Sequence, residues 1–452
     1  MKALSSALIV VLLLVLVSCS SDRDKANELV VEATKLYKQA EKEPDAQKKF
    51  ELIDRALSDL KKIVKDYPNT DIATKLSTGQ SIGFLSLKKL KQFRTQAACG
   101  VCFAHPRQAC LLNTARTIVT GLSGLFKSDW YPKSLVRIAS AQAESGFIDD
   151  ARKTAESIKD PFHQSQALAF VAMATKDRAL FDQALATANK SATQKKRDQA
   201  LHGIAILMQR AGFFNDSQKV VHAITNEYDR LLALAAILVN KKDPAFSQKV
   251  SNLVSKSTLP ANKLDSVLSQ LSIAQSFAGL YADAKKNAEK IQIPEERTKA
   301  FLYLALETKD AALFKEAINS AKGIKNASSA IKLLRTIVLA QAKVGFTEDA
   351  LKFLKKMQKA INNNAAFRSH KCEVIGDEAI IYAYAGSKDK ALSIIEKMNG
   401  CNAEDRMRVF SFVAQKLNEP SLYARAMSAR TDIKSIRDLV DTIIKTYRYF
   451  PK

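Results

Sequence analysis

Glycine and proline are scarce in this chain, at 14 and 10 of 452 residues, and aromatic side chains make up only 7 %. An all-β fold needs frequent Gly and Pro turns between short, aromatic-rich strands, so this composition excludes one and favours long helices. Histidine is rarer still, with five in all. The chain has no His-Glu-x-x-His, no glycine-rich phosphate loop and no EF-hand loop, so no catalytic or metal motif of those kinds is offered. What is abundant is apolar residues (47 %) and charge (26 %), the balance of a folded protein rather than a disordered one. Lys and Arg number 70 against 46 Asp and Glu, a formal charge of +24 whose field attracts polyanions.

The N-terminus reads Met1-Lys2, then an apolar stretch from Ala7 to Val17, then Leu16-Val17-Ser18-Cys19. One positive charge, a short apolar core and a small residue before the cut describe a secretory signal peptide. The run is too short for a membrane span. The ending Leu-Val-Ser-Cys resembles a bacterial lipobox. That resemblance implies removal of residues 1–18, acylation of Cys19 with palmitate-type chains, and a short linker over 19–24. Ser20, where an Asp would imply retention at the inner membrane, implies the outer membrane. The expected location is therefore the bacterial outer membrane, lipid-anchored and facing the periplasm, with about 0.8 kcal/mol of membrane affinity per buried methylene.

The remainder repeats. Gly-x-x-x-Asp-Ala, or a close variant, begins at Gly146, Gly212, Gly279 and Gly345, spaced by 66, 67 and 66 residues. A second element, Lys-Asp followed by Phe, occurs at Lys176-Asp177, Lys242-Asp243 and Lys309-Asp310, midway between the first series. The unit is thus about 33 residues in two alternating flavours. Each unit reads as two helices. Leu135, Ile138, Ala139 and Gln142 share one helical face, Gly146 stands where a helix ends, and Asp149 and Asp150 open the next helix, which continues with Ala151, Ala155 and Ile158.

On these residues the chain resembles the tetratricopeptide (TPR) family, in which a Gly closes the first helix and a small residue five positions later opens the second. Gly146/Ala151, Gly279/Ala284, Gly345/Ala350 and Gly386/Ala391 match, and Gly212 is followed by Ser217 instead. Ala56, Leu60, Ile63 and Pro68 match the second-helix spacing near the N-terminus. The family's bulky first-helix signature is largely missing from the middle repeats. The expected fold is all-α, a right-handed α-solenoid of 33-residue hairpins, a TPR-like superhelix. The resemblance divides the chain into N-terminal hairpins with a Cys cluster at 25–128 and the main array at 129–452. From Gly345 to Gly386 the spacing grows to 41, which predicts an insertion near Asn362-Asn363-Asn364, in an inter-helix loop.

Five cysteines follow Cys19. In an oxidising compartment disulfides are the default. Cys372 and Cys401 lie at the adjacent ends of one antiparallel hairpin, which predicts a bridge worth about 3 kcal/mol on the loop-entropy model. Cys110 pairs with Cys99 or Cys102, leaving one thiol over. The cluster Cys99, Cys102, His105 and Cys110 has a nonstandard spacing for zinc, and Phe103 after Cys102 excludes c-type haem attachment. No cofactor and no metal is expected. Gly79-Gln80-Ser81-Ile82-Gly83 matches the nucleophile elbow in letters only, since no strand precedes it.

The basic excess falls in short groups such as Lys61-Lys62-Lys65, Lys195-Lys196-Arg197 and Lys352-Lys355-Lys356-Lys359. Arg197, Arg230, Arg297 and Arg406 recur near first-helix starts, each beside an acid. They read either as a ligand-facing ladder of guanidinium groups or as bridges between repeats. The expected function is non-catalytic: a lipid-anchored envelope scaffold whose concave repeat surface binds a protein or extended peptide. The alternative is binding of an anionic envelope polymer or lipid, such as lipopolysaccharide or cell wall, through the basic face. Nucleic acid is not an expected partner, because no regular stripe of base-stacking aromatics is present.

Overall fold

In the computed structural model, residues 3–87, 89, 90, 93, 102, 106–121, 129–241, 243–433 and 435–452 are described. Among them are 23 α-helices and no strand, only an isolated bridge between Ile82 and Leu85. The chain forms two compact units, residues 1–106 and 107–452.

In the first unit α1 (Ala3–Lys42) packs along α2 (Ala46–Asp66), with α3 (Asp71–Ser77) beside them. Ala26, Ala33 and Ala40, seven residues apart, are fully buried on α1 and let α2 approach with Ile53, Ala56, Leu60 and Ile63. Asp45 caps α2 by accepting from the Lys48 N–H at 2.8 Å. The linker expected over 19–24 is helical, as α1 runs through it without a break. Gly79 and Gly83 take positive φ in turns after α3, and Ser81 is exposed there.

The second unit begins with α4 (Gln108–Gly121) and continues as nine hairpins among the described residues. Their first helices are α5 (Trp130–Glu144), α7 (Pro161–Thr175), α9 (Gln194–Arg210), α11 (Glu227–Lys241), α13 (Ala261–Phe277), α15 (Pro294–Thr308), α17 (Ala327–Lys343), α19 (Lys371–Tyr384) and α21 (Ala403–Leu417). The second helices are α6 (Ile148–Glu156), α8 (Arg178–Ala188), α10 (Phe214–His222), α12 (Pro244–Ser255), α14 (Tyr281–Lys290), α16 (Ala311–Ala321), α18 (Thr347–Asn363), α20 (Lys388–Glu396) and α22 (Ser421–Ser428). A final first helix, α23 (Ile436–Thr446), ends the array.

The two sequence flavours are two ways of making the same tight turn. In one, glycine supplies the left-handed residue, as at Gly345 with φ +103°. In the other, Lys176 and Lys309 adopt φ +53° and +52°, and the Asp that follows caps the second helix. Asp177 accepts from the Leu180 N–H and Asp310 from the Ala312 N–H. The extra residues near Asn362 do not form a loop. They lengthen α18 to 17 residues, and a 3-10 turn (Ala365–His370) follows.

Successive first helices pack against one another along the whole array, and no comparable packing joins successive second helices. The first helices therefore form the inner, more closely spaced layer of a curved array. Buried polar side chains pin the joints. The Asp198 carboxylate on α9 accepts from the backbone of Thr225 and Asn226 and from the Thr225 hydroxyl, just before α11 begins. Asp265 on α13 accepts from Gln292 and Ile293 before α15. Gln275 on α13 donates to Ser247 of the preceding second helix at 2.9 Å and accepts from Asn287 of its own at 2.9 Å.

The ends of the array meet. The boundary expected at 128/129 falls at 106/107, because α4 packs against α5 at one end of the array and α23 at the other. Gln142 on α5 repeats the Gln275 arrangement, donating to Asn113 of α4 at 3.0 Å and accepting from Thr154 of α6 at 2.7 Å. Thus α4 stands to α5 as α12 stands to α13: it is the second helix of a hairpin whose first helix is α23. The Gln108 N–H donates to the Pro451 carbonyl at 2.8 Å, its side chain to Phe450 at 2.9 Å, and Arg137 of α5 pairs with Asp441 of α23 at 2.6 Å. The second unit is a closed ring whose last hairpin joins the two ends of that unit.

If the ends are joined as firmly as an interior joint, Gln142→Ala and Gln275→Ala should each cost about 2 kcal/mol, because each removes one donated and one accepted bond to two neighbouring helices. Chemical denaturation of the two variants checks this. A near-neutral Gln142→Ala beside a costly Gln275→Ala would mean that the ends are not joined.

Candidate functional site

A cavity of about 550 Å³ lies on the inner layer and is lined by α17, α19, α21 and α23, together with Asn402 just before α21. Its walls carry both signs of charge: Lys332, Arg335, Arg408 and Lys445 against Glu373, Glu404, Asp405, Asp438 and Asp441. Leu339 and the hydroxyls of Thr336, Thr442 and Thr446 lie between them.

A fixed network forms the floor. Arg335 pairs with Glu373 at 2.6 Å and with the fully buried Asp377 at 2.5 Å. Arg408 approaches Asp377 at 3.4 Å and Asp405 at 3.6 Å. His370 contacts Glu373 at 2.7 Å through Nδ1 and Ser328 at 3.2 Å through Nε2. Burial alone would lower the Arg335 pKa, but its bonds to Asp377 and the nearby carboxylates hold it above its ordinary value. Burial would likewise raise Glu373, and the His370 hydrogen bond and Arg335 hold it below the usual carboxylate range. Asp405 differs, since burial pushes it up and Arg408 only partly opposes that.

Close beside the network, Cys372 at the start of α19 is bridged to Cys401, ahead of α21, with Cα atoms 5.4 Å apart. The clip fixes the relative position of two helices that line the cavity. Cys102 and Cys110 each take part in a disulfide, and Cys99 and His105 lie outside the described residues. Cys19 lies within α1, and the side chains of residues 3–21 are outside the description.

None of the four recurring arginines lines this cavity. All are half-buried near the starts of first helices, in different surroundings. Arg230 donates to the Ile224 and Thr225 carbonyls, closing the turn that leads into its own helix. Arg297 lies 5.6 Å from the Phe301 ring, one turn along α15. Arg406 pairs with Asp432 at 2.5 Å, which ties α21 to the segment leading into α23. The Nε of Arg197 is shielded from solvent. By contrast Lys352, Lys355, Lys356 and Lys359 are all exposed on α18, opposite the buried Ala350, Leu354, Met357 and Ile361. The cavity residues escape sequence reasoning because they come from four helices with no shared motif. The glutamines at 142, 209, 275 and 341 carry a readable signal in their spacing of 67, 66 and 66.

No protein family and no curated protein matches the sequence. Among solved structures, Ton1535 from Thermococcus onnurineus NA1 is 14 % identical, with 80 % of this chain and 97 % of that one covered, at a TM-score of 0.23. A circular tandem repeat protein with novel repeat topology and enhanced subunit contact surfaces is 13 % identical, with 94 % and 97 % covered, at a TM-score of 0.16. Scores this low carry no argument for this chain.

A buried Asp with a raised pKa contributes stability that is complete below its unfolded pKa of about 3.9 and is lost as pH rises through the folded value. Asp405→Asn should therefore raise the Tm at pH 7, with the gain vanishing near pH 4. Thermal melts across that range check the sign, and a lower Tm at pH 7 would contradict it.

Proposed function

We propose that the protein is a non-catalytic binding scaffold of the bacterial envelope, anchored to the outer membrane through acylated Cys19. In this reading the array of right-handed, TPR-like 33-residue hairpins takes up a polypeptide segment on its inner layer. The observation that carries it is the cavity on that layer, where unmatched charges of both signs sit over a fixed network. Repeat arrays present long concave surfaces of this type to partners. Anchoring rests on the lipobox-like ending at Cys19. It also fits the described residues, none of whose helices is long and apolar enough to cross a membrane.

A second reading has its own observation. The exposed lysine stripe of α18 is a flat basic face on the outer layer, suited to an anionic polymer or lipid headgroup. Salt separates the two, because purely electrostatic attachment to that stripe weakens steeply as the Debye length shrinks to about 8 Å at physiological ionic strength.

Photo-crosslinking residues at Tyr303 (inner layer) and Lys355 (outer layer) should capture a protein partner at the first position and not at the second. The reverse pattern, abolished by salt, would favour the basic-face reading. Cys19→Ser should remove incorporation of labelled fatty acid and release the protein from membranes. Unchanged labelling of that variant would contradict the anchor.

A further inference from the structure

Within the cavity, most charged side chains already have partners: Arg335 holds Glu373 and Asp377, Arg408 holds Asp377 and Asp405, and Asp441 holds Arg137. Four have no ion pair among the described residues: Lys332, Lys445, Glu404 and Asp438. We propose that these four make the cavity a binding site for a short peptide with a free amino end and a free carboxylate end. The proposal rests on the reading of the inner layer as the binding surface and names what this part of it takes.

The sorting of charge sets the ligand class. Glu404 and Asp438 stand in the first turns of α21 and α23, so the acids gather at one end of the cavity. Lys445 is seven residues beyond Asp438 on the same face of α23, about 10 Å along the axis at 1.5 Å per residue. Lys332 of α17 stands nearer the acids, because Ser328 one turn before it meets His370 just ahead of α19, so the acidic end keeps one negative charge in excess. A ligand of one sign would meet like charge in excess at one end, and a neutral one would leave the excess charge at each end unmatched. A zwitterion with its charges about 10 Å apart satisfies both ends, and three extended residues at about 3.4 Å each span that distance. The volume is within the range of about 300–1,000 Å³ typical of small-ligand sites. Along the path, Thr446 and Thr336 spend their hydroxyl protons on the Thr442 and Lys332 carbonyls. Their oxygens are left to accept from peptide N–H groups, and Leu339 offers apolar contact.

The test is calorimetric titration of the full-length protein with trialanine, its N-acetyl form, its amide form and the doubly blocked form. Trialanine should bind, and each single block should weaken binding by about tenfold or more. Lys445→Ala should abolish the difference between the acid and the amide, and Asp438→Ala the difference between the free and acetylated amine. Both side chains are exposed, and a circular dichroism melt of each variant confirms that it folds. Equal binding of the doubly blocked peptide, or no binding of trialanine to the folded protein, overturns the proposal. If inner-layer crosslinks persist in that case, only the assignment of this cavity falls and the scaffold reading stands.

Discussion

The packing of α4 between α23 and α5 is the constraint on which the second unit depends. A hairpin array with free ends leaves two apolar faces uncovered, one at each end. Here each end covers the other: Leu112, Ala141 and Tyr447 are buried together, with Phe147 against them. The contact joins residues more than 300 positions apart, so its loop-closure entropy is large in principle. That cost grows only as the logarithm of length, about 0.6 kcal/mol per doubling. Buried area at the closing hairpin and the Gln142 and Gln108 hydrogen bonds offset it.

Closure also explains the unequal treatment of the two layers. First helices meet their neighbours through alanine-rich, fully buried faces with Ala200, Ala205, Ala233, Ala274, Ala300 and Ala305 at contact positions. Second helices are linked by surface ion pairs such as Arg425 with Glu396 and Lys388 with Glu419, and exposed pairs of that kind contribute little. Curvature therefore comes from side-chain volume rather than charge. It places the mixed-sign cavity on the inner layer and leaves the lysines of α18 on the outer one. The net charge of +24 is a property of the outer surface more than of the cavity, whose lining has acids and bases in near balance.

How much of this was readable beforehand follows from the range of each interaction. The hairpins are legible because their punctuation is local: glycine or lysine in the left-handed region, then an acid that caps the second helix or stands in its first turn. The Cys372–Cys401 bridge was legible because a hairpin brings its own ends together. Ring closure was not, since nothing within Gln108–Gly121 says whether its apolar face belongs to the residues before it or to a helix near the other terminus. The recurring arginines show the converse. Their spacing is regular, but spacing cannot say whether a guanidinium turns toward a ligand, a carbonyl or a phenyl ring. The cavity needs four helices brought together from residues 332 to 446, and no periodic pattern marks it.

The closed ring is tested most directly by the distance between its ends. Non-cysteine spin labels at Thr117 on α4 and Lys445 on α23 leave the native disulfides untouched. Adjacent helix axes lie 8–10 Å apart, so with label arms the closed ring predicts one narrow distance distribution near about 20 Å. A broad distribution centred beyond about 40 Å, the separation expected when ten helix layers are not brought back together, would contradict it.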